Sequence, residues 1–423
     1  MQMKNQPKIQ NLWQVFLEKS LNITIPILAI LAAFIVSGLL ILGWGANPIA
    51  AFKAVFQGAF GSANAIATTL TRMTPLVFTG LAVAYGYRAG FFNIGAEGQL
   101  YMGALLATWV GVTFTNWPGW LLVIACFLAA SVAGALLALL PAYLKAKRGF
   151  NEVLTTLLFN YIILQFFAWS LRVDHPMAGV DQKWSLVNWF GIKDPTQPYP
   201  KSAFIAEQAW LPSLSSFMKS GFMNSLFGGT GWYQASLTEP ALERITLAPL
   251  LAVLAIIIIL VLMFKTATGF RARAVGVSTD ASRAMGINVY RTILVTALIS
   301  GALAGLAGAM EVLGSQHRVI ERFLVDAGFT GIPVALIGQL HPLGVGLSAL
   351  FFGALRAGAN RMQIVAAVPV AMIYVIQALT ILFAIAGTTV ELVSYIKKSR
   401  MSALSERAKE ERMSLESGEV SDA

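Results

Sequence analysis

Gly90-Phe91-Phe92-Asn93-Ile94-Gly95-Ala96-Glu97-Gly98-Gln99-Leu100-Tyr101-Met102-Gly103 runs without a break into Ala104-Leu105-Leu106-Ala107-Thr108-Trp109-Val110. A carboxylate, Glu97, therefore sits inside what reads as a membrane span. On a helix, Asn93, Glu97 and Tyr101 fall at i, i+4 and i+8 and share one face. Gly95, Gly98 and Met102 line another, where small residues let a second helix approach closely. An ionisable group at such a depth costs at least ~2.5 kcal/mol, so it marks a pathway or a buried partner. A polar face inside a span points toward transport.

Composition supports the membrane setting. The chain of 423 residues is 57% hydrophobic and 12% charged, against roughly 25% charged in soluble proteins, and its mean hydropathy is +0.69. Apolar runs of about 20 residues, the length that crosses a bilayer, recur along it. The net charge of +10 is not a nucleic-acid signal, because much of the excess lies in short loops between spans. The single cysteine, Cys126, excludes an intrachain disulfide and a cysteine-rich metal site. Lys4, Lys8 and Lys19 precede an apolar run from Ile23 to Leu42, which reads as a first transmembrane helix, since it is longer than a signal-peptide core and no cleavage pattern follows.

The expected fold is an all-α polytopic membrane protein of about ten spans. These cover 23–43, 66–87, 92–112, 119–141, 151–171, 246–264 and 292–313, then two short segments at 327–340 and 343–357, and finally 364–387. The short pair, separated by His341-Pro342, reads as half-helices or a re-entrant pair. Three basic clusters fall on one side: Lys145, Lys147 and Arg148; Lys265, Arg271, Arg273, Arg283 and Arg291; Lys397, Lys398 and Arg400. That side is the cytoplasm by the positive-inside rule, with both termini on it.

The expected organisation is a cytoplasmic N-terminus (1–22), a membrane domain (23–395) and a cytoplasmic tail (396–423). Within the membrane domain, 172–245 is an extracytoplasmic insertion and 265–291 a cytoplasmic loop. The insertion is electroneutral, with six basic and six acidic residues, and it carries Trp184, Trp189, Trp210 and Trp232. It suits either an interfacial cap or a docking surface for an external partner. Thr79-Gly80-Leu81-Ala82-Val83-Ala84 resembles Thr330-Gly331-Ile332-Pro333-Val334-Ala335, each placed at the start of a span, as a duplicated transporter half would have it. Gly301, Gly305 and Gly308 read as a helix-packing face.

No Walker A motif occurs, and the three histidines lack metal-ligand spacing. The loop Thr268–Asn288 is more informative. Asp280 suits an N-cap and Gly286 a C′ position, bracketing one short helix whose exposed side is small: Ala281, Ser282 and Ala284. Small side chains on a capped helix fit a cleft of another protein.

That loop resembles the coupling helix of ABC importer permeases. Phe92-Asn93-Ile94-Gly95-Ala96-Glu97-Gly98-Gln99 is similar to the signature of the nucleoside and simple-sugar branch that works with basic-membrane-protein-type binding lipoproteins, and Gly149–Thr156 with Asn160-Tyr161 fits it too. The resemblance implies two permease subunits (this chain and a second, related one), two cytoplasmic ABC ATPases and an extracytoplasmic binding lipoprotein, and it puts this chain in the inner membrane of a bacterium. It implies no nucleic-acid partner. ATP and Mg would sit on the ATPase, with no cofactor, metal or catalytic residue in this chain. It assigns Phe91, Phe92, Asn93, Glu97, Gln99, Asn151, Glu152, Asn160 and Tyr161 to the substrate pathway, and Arg271, Arg273, Asp280, Ala281, Arg283, Ala284 and Gly286 to ATPase coupling. The residues leave open a second role, in which Asn93 and Asn151 cap helix starts and both glutamates brace them. They also leave open a proton-coupled secondary transporter that uses Glu97 or Glu152.

Overall fold

The computed structural model describes residues 28, 30–173, 191–219, 243–324, 326–384 and 386. The expected N-terminal segment 1–22, the tail 396–423 and Trp184, Trp189 and Trp232 lie outside them. Two compact units are distinguished, one containing the N-terminal residues through Pro48 and those from Ala371 onward, the other Ile49–Val370. The first carries two apolar helices, α1 (Ile30–Gly43) and, last in the chain, Ala371–Ala384.

The second unit is helical, and its helix ends follow from its sequence. α2 (Pro48–Phe60) begins on a proline, which loses nothing at a helix start. α3 (Ala63–Arg88) is capped by Ser62, whose Oγ accepts from Ala65 N at 3.1 Å. α4 (Ala96–Thr113) follows an irregular segment, and α5 (Gly119–Arg148) ends with Lys145, Lys147 and Arg148 in its last turn, where cations suit the helix dipole. Gly149 then takes the left-handed conformation at φ 70° and closes the helix against the Leu144 and Lys145 carbonyls. Asn151 caps α6 (Glu152–Ser170), accepting from Val153 N at 2.9 Å.

α7 (Ala248–Lys265) leads into two short helices, α8 (Ala267–Val277) and α9 (Thr279–Ala284). α10 (Val289–Glu311) continues through a π-turn at Val312–Gln316. α11 (Ala327–Ile337) is 11 residues long, and α12 (Pro342–Ala366) is 25. Ala371–Ala384 is α13. Among the described residues, α3, α5, α6, α7, α12 and α10 with its π-turn are long and apolar enough to cross a bilayer, while α1, α11 and α13 are shorter apolar helices.

The expected short pair is corrected by these bounds. Its first member is short, but the second is a full-length helix. The residues around 357 do not end it, because they are used: Arg356 donates to Thr330 Oγ1 at 2.8 Å, and Gly358 lies against Val55 of α2. The last expected span, 364–387, is corrected likewise, since α12 occupies its start and α13 begins only at Ala371. Helix α2 was not anticipated at all.

The core of this unit is α10 wedged between α4 and α5. At Gly134, Gly301 and Gly305 an added Cβ would strike backbone atoms of the facing helix (α5 against α10). At Gly103 and Gly308 it would do the same between α4 and α10. The three glycines expected to pack do so, and Gly103 and Gly134 complete the seam from the other side. Thr79 and Thr330, the two related sequence segments, also meet: Thr79 Oγ1 donates to Ala327 O at 3.1 Å, and Gly331 abuts Thr79. Thr79, however, lies in the interior of α3 rather than at a span start. The described part of the insertion lies over the ends of α4 and α10, with Ala206 N bonded to Gly111 O at 3.0 Å and Leu211 N to Leu313 O at 2.9 Å.

Candidate functional site

The polar face predicted for α4 is reorganised by the start of that helix. Asn93 precedes α4, which begins at Ala96 with Gly95 as N-cap and no side-chain cap. Asn93 therefore neither caps α4 nor shares a helical face with Glu97 and Tyr101. Its amide instead bridges helices. Nδ2 donates to Gln99 Oε1 at 2.8 Å and to Ser300 Oγ of α10 at 2.9 Å, and Oδ1 accepts from Gln99 Nε2 at 3.1 Å. Ser300 passes the chain on to Ala82 O of α3 at 2.7 Å. A buried amide pair with this many partners is a structural joint.

Glu97 is 3% exposed. Its carboxylate accepts from Asp326 N at 3.2 Å, Gly328 N at 2.6 Å and Phe329 N at 3.3 Å. These are the first backbone donors of α11, a helix with no side-chain cap of its own. The brace expected of Glu97 is thus real but acts on a different helix. A carboxylate at a helix N-terminus satisfies orphan N–H groups and opposes the positive end of the dipole. Gly328 is backed directly onto Glu97.

The remaining pathway candidates have separate surroundings. Asn160, 1% exposed, accepts from Gly98 N and donates to Ile94 O, both at 2.9 Å. The cavity beside Gly95, Gln99 and Asn160 holds about 10 Å³, room for one water at most. Glu152 pairs with Lys145, which also donates to Gly90 O, and accepts from Phe92 N at 3.4 Å. This clasp holds the 90–92 segment to the α5–α6 corner. Phe91 is fully buried among Ala138, Val275, Val289 and Ile293. Phe92 sits edge-on to Tyr87 at 5.2 Å. Tyr161 is 64% exposed on the outside of α6 and shares no surroundings with the others.

The 265–291 loop contains the expected short helix with a different start. Ser278, not Asp280, is its N-cap, its Oγ accepting from Ala281 N at 3.2 Å. Asp280 lies in the first turn, where a carboxylate suits the dipole, and forms an exposed 3.8 Å pair with Arg283. Gly286 holds the expected left-handed position at φ 78°. Ala281, Ala284 and Met285 are exposed, whereas Ser282, expected on the open face, is fully buried. Arg271 is exposed, while Arg273 turns inward over the Phe264 ring at 5.1 Å.

Sequence reasoning missed Arg88. Its Nε donates to Leu340 O at 2.9 Å and its Nη2 to Gln339 O at 3.3 Å. It also lies 5.7 Å from the Phe264 ring, and Gly276 of α8 rests on its carbonyl. One signal was available, the pairing of a basic residue at a span end with a following left-handed Gly90. Glu311, 5% exposed at the end of α10, was also missed. Among the described residues no cluster of three or more His, Cys, Asp or Glu side chains is placed to hold a metal ion.

Comparison with known proteins places this architecture. The chain is 36% identical to the glucose ABC transporter permease protein TsgB13 of Haloferax volcanii, over 85% of this chain and 86% of that one. It is 32% identical to the guanosine ABC transporter permease protein NupP of Bacillus subtilis, over 88% and 95%. It is 33% identical to the nucleoside ABC transporter permease protein NupB of Lactococcus lactis, over 81% and 85%. No solved structure matches it. Residues 65–385, nearly the whole helical unit with its seam, its half-length helix and its exposed loop helix, match one family. The chain belongs to that family, the permease component described under branched-chain amino acid transport systems, and is an integral membrane subunit of an ABC transporter rather than an enzyme.

Proposed function

We propose that the chain is one of two permease subunits of an ATP-driven importer for nucleosides or related simple sugars. The other would be a related chain, joined by cytoplasmic ATPases that bind ATP and Mg and by an extracytoplasmic binding lipoprotein. In this reading both termini are cytoplasmic, the chain crosses the membrane about ten times, and 172–245 caps the outer side. The solute class is supported by relatives whose names specify guanosine, nucleosides and glucose.

The observation that carries the reading is α9. It is a capped helix of six residues presenting Ala281 and Ala284 to solvent, flanked by exposed Arg271, Arg283 and Gly286. Small exposed side chains let a partner's cleft close around the backbone. Its neighbour α8 rests through Gly276 on the carbonyl of Arg88, and Arg88 holds the turn below α11. ATP-driven displacement of α9 would reach α11 through rigid parts and bear on the Glu97 joint. Glu97 then acts as a brace of the pathway's inner half. A proton-coupled carrier has no use for α9, and the Glu97 carboxylate is already engaged by three N–H groups.

The test is reconstitution of the complete complex in proteoliposomes. Uptake of guanosine or glucose should require ATP and the ATPase. Uptake sustained by a proton gradient with the ATPase omitted would sink the reading.

A further inference from the structure

Of the residues first associated with the pathway, Gln99 and Asn160 line a cavity of about 10 Å³, too small for any solute. A far larger polar cavity lies elsewhere, at the end of α10. It measures about 350 Å³ and is lined by the second and third turns of α3, the π-turn after α10 and residues of 243–246. Pockets that hold small molecules start near ~300 Å³.

Its chemistry is specific. Glu311 supplies a buried carboxylate, one oxygen of which accepts from Gln316 Nε2 at 3.1 Å. Arg72 and Arg356 bear on it electrostatically. The lining pairs two arginines (Arg72, Arg244) with two glutamates (Glu243, Glu311), so it is strongly polar without net charge. Thr68 and Thr71 donate their hydroxyls back to their own helix, which leaves their oxygen lone pairs facing outward as acceptors. His317 closes one edge, its ring stacked on Trp210 at 4.0 Å. The backbone there is a π-turn ending in a left-handed His317, an irregularity that helices adopt at functional positions.

An electroneutral wall dense in both donors and acceptors suits neither a free anion nor a cation. It suits a ligand whose own groups donate and accept together, as vicinal hydroxyls do. A carboxylate accepts from two hydroxyls, and guanidinium groups donate to their oxygens. The polar lining also continues inward. Arg356, beside Glu311, bonds Thr330 of α11, and the first N–H groups of α11 are those held by Glu97.

We propose that this cavity, built on Thr71, Arg72, Glu311 and Gln316, is a binding site for an uncharged, hydroxyl-rich solute at the outer end of α10. The proposal rests on the reading of the chain as a permease for such solutes. Thr71→Cys, introduced with Cys126→Ala, gives a chain with one thiol at the cavity wall. The complete complex would be labelled with a maleimide in the presence of guanosine or of glucose, and the modified peptide of this chain quantified. At a solute concentration about ten times its Kd, labelling should slow about tenfold, while an exposed control, Tyr199→Cys, labels at an unchanged rate. Glu311→Gln should raise KM for uptake. Import of either solute without protection at Thr71→Cys, and with KM unchanged in Glu311→Gln, overturns the site and leaves the permease reading standing. Import of neither solute by the unsubstituted complex, with ATP hydrolysis intact, sinks the solute class for permease and cavity together.

Discussion

The guanidinium of Arg88, the last residue of α3, donates to the carbonyl of Leu340 at 2.9 Å across 252 positions of sequence. The turn it holds is costly by itself. Gln339 and Leu340 both adopt φ 54°, a conformation disfavoured by about 1–2 kcal/mol for each residue with a Cβ. Such a turn persists only when its surroundings over-determine it. Arg88 also carries Gly276 of α8 on its carbonyl, so one residue touches both the 265–291 loop and the turn that ends α11.

Arg88→Ala should therefore uncouple the transporter. Uptake is expected to fall about tenfold, the effect of losing ~1.4 kcal/mol, with ATP hydrolysis by the assembled complex retained. Parallel assays of uptake and phosphate release on one preparation check this. Equal loss of both would point to a merely structural role.

Glu97→Gln and Glu97→Ala should separate in stability. Glutamine keeps one acceptor for the α11 N–H groups and loses the charge, worth about 1–2 kcal/mol in a buried geometry. Alanine strands several buried donors at about 1–3 kcal/mol each. Thermal melting of the purified complex should rank wild type above Gln and Gln above Ala. If alanine melts with wild type, the carboxylate is not the cap of α11.

On α9, Ala284→Glu and Ser282→Glu should fail differently. Ala284 is exposed, so the glutamate there should leave membrane assembly intact and abolish stimulation of uptake by ATP. Ser282 is buried, so the same change should lower the yield of folded protein. Immunoblotting of membranes alongside transport measurements distinguishes the two.

Gly305→Ala and Gly149→Ala make the same chemical change at opposite sites. At Gly305 the methyl group meets α5 backbone, and overpacking a tight core costs about 1–3 kcal/mol or more. At Gly149 nothing among the described residues lies within 4 Å, and only the left-handed backbone is penalised, by about 1 kcal/mol. The melting temperature should drop further for Gly305→Ala.

Acid should loosen the end of α10 through His317. Burial holds this imidazole below its ordinary pKa of 6.5, and its Nδ1 has no hydrogen-bond partner among the described residues. The unfolded chain binds the proton more readily, so stability rises with pH in this window. The contribution is fully present above pH 6.5 and is lost as pH falls from there toward the lowered value. His317→Phe, which keeps the stack on Trp210, should flatten the melting temperature between about pH 7 and pH 5.

Much of this was legible in the sequence because helices in lipid announce themselves by length and apolarity. The caps at Asn151 and Gly286 and the glycine face of α10 were readable as local chemistry. The start of α4 was not. Nothing in Phe91–Gly95 forbids a helix locally, and it is Asn93's bonds to Gln99 and Ser300 that hold the segment open. Ser278 outcompeted Asp280 as a cap by one turn position. The bonds of Glu97 to α11 and of Arg88 to Leu340 span more than 200 residues, and no periodicity encodes a partner that distant. The full length of α12 was hidden by Arg356 and Gly358, whose polarity and small size serve neighbours rather than a helix end.

The seam of α4, α5 and α10 has a consequence for engineering. Where backbones meet with no side chains between them, each helix is shaped to the path of the others and to no other surface. Hybrid permeases that exchange one of the three with a relative at a third of identical positions would pair mismatched curvatures. Exchanging all three as a block moves the fit intact, and it leaves α11, the cavity wall and α9 as the parts that can be varied one at a time.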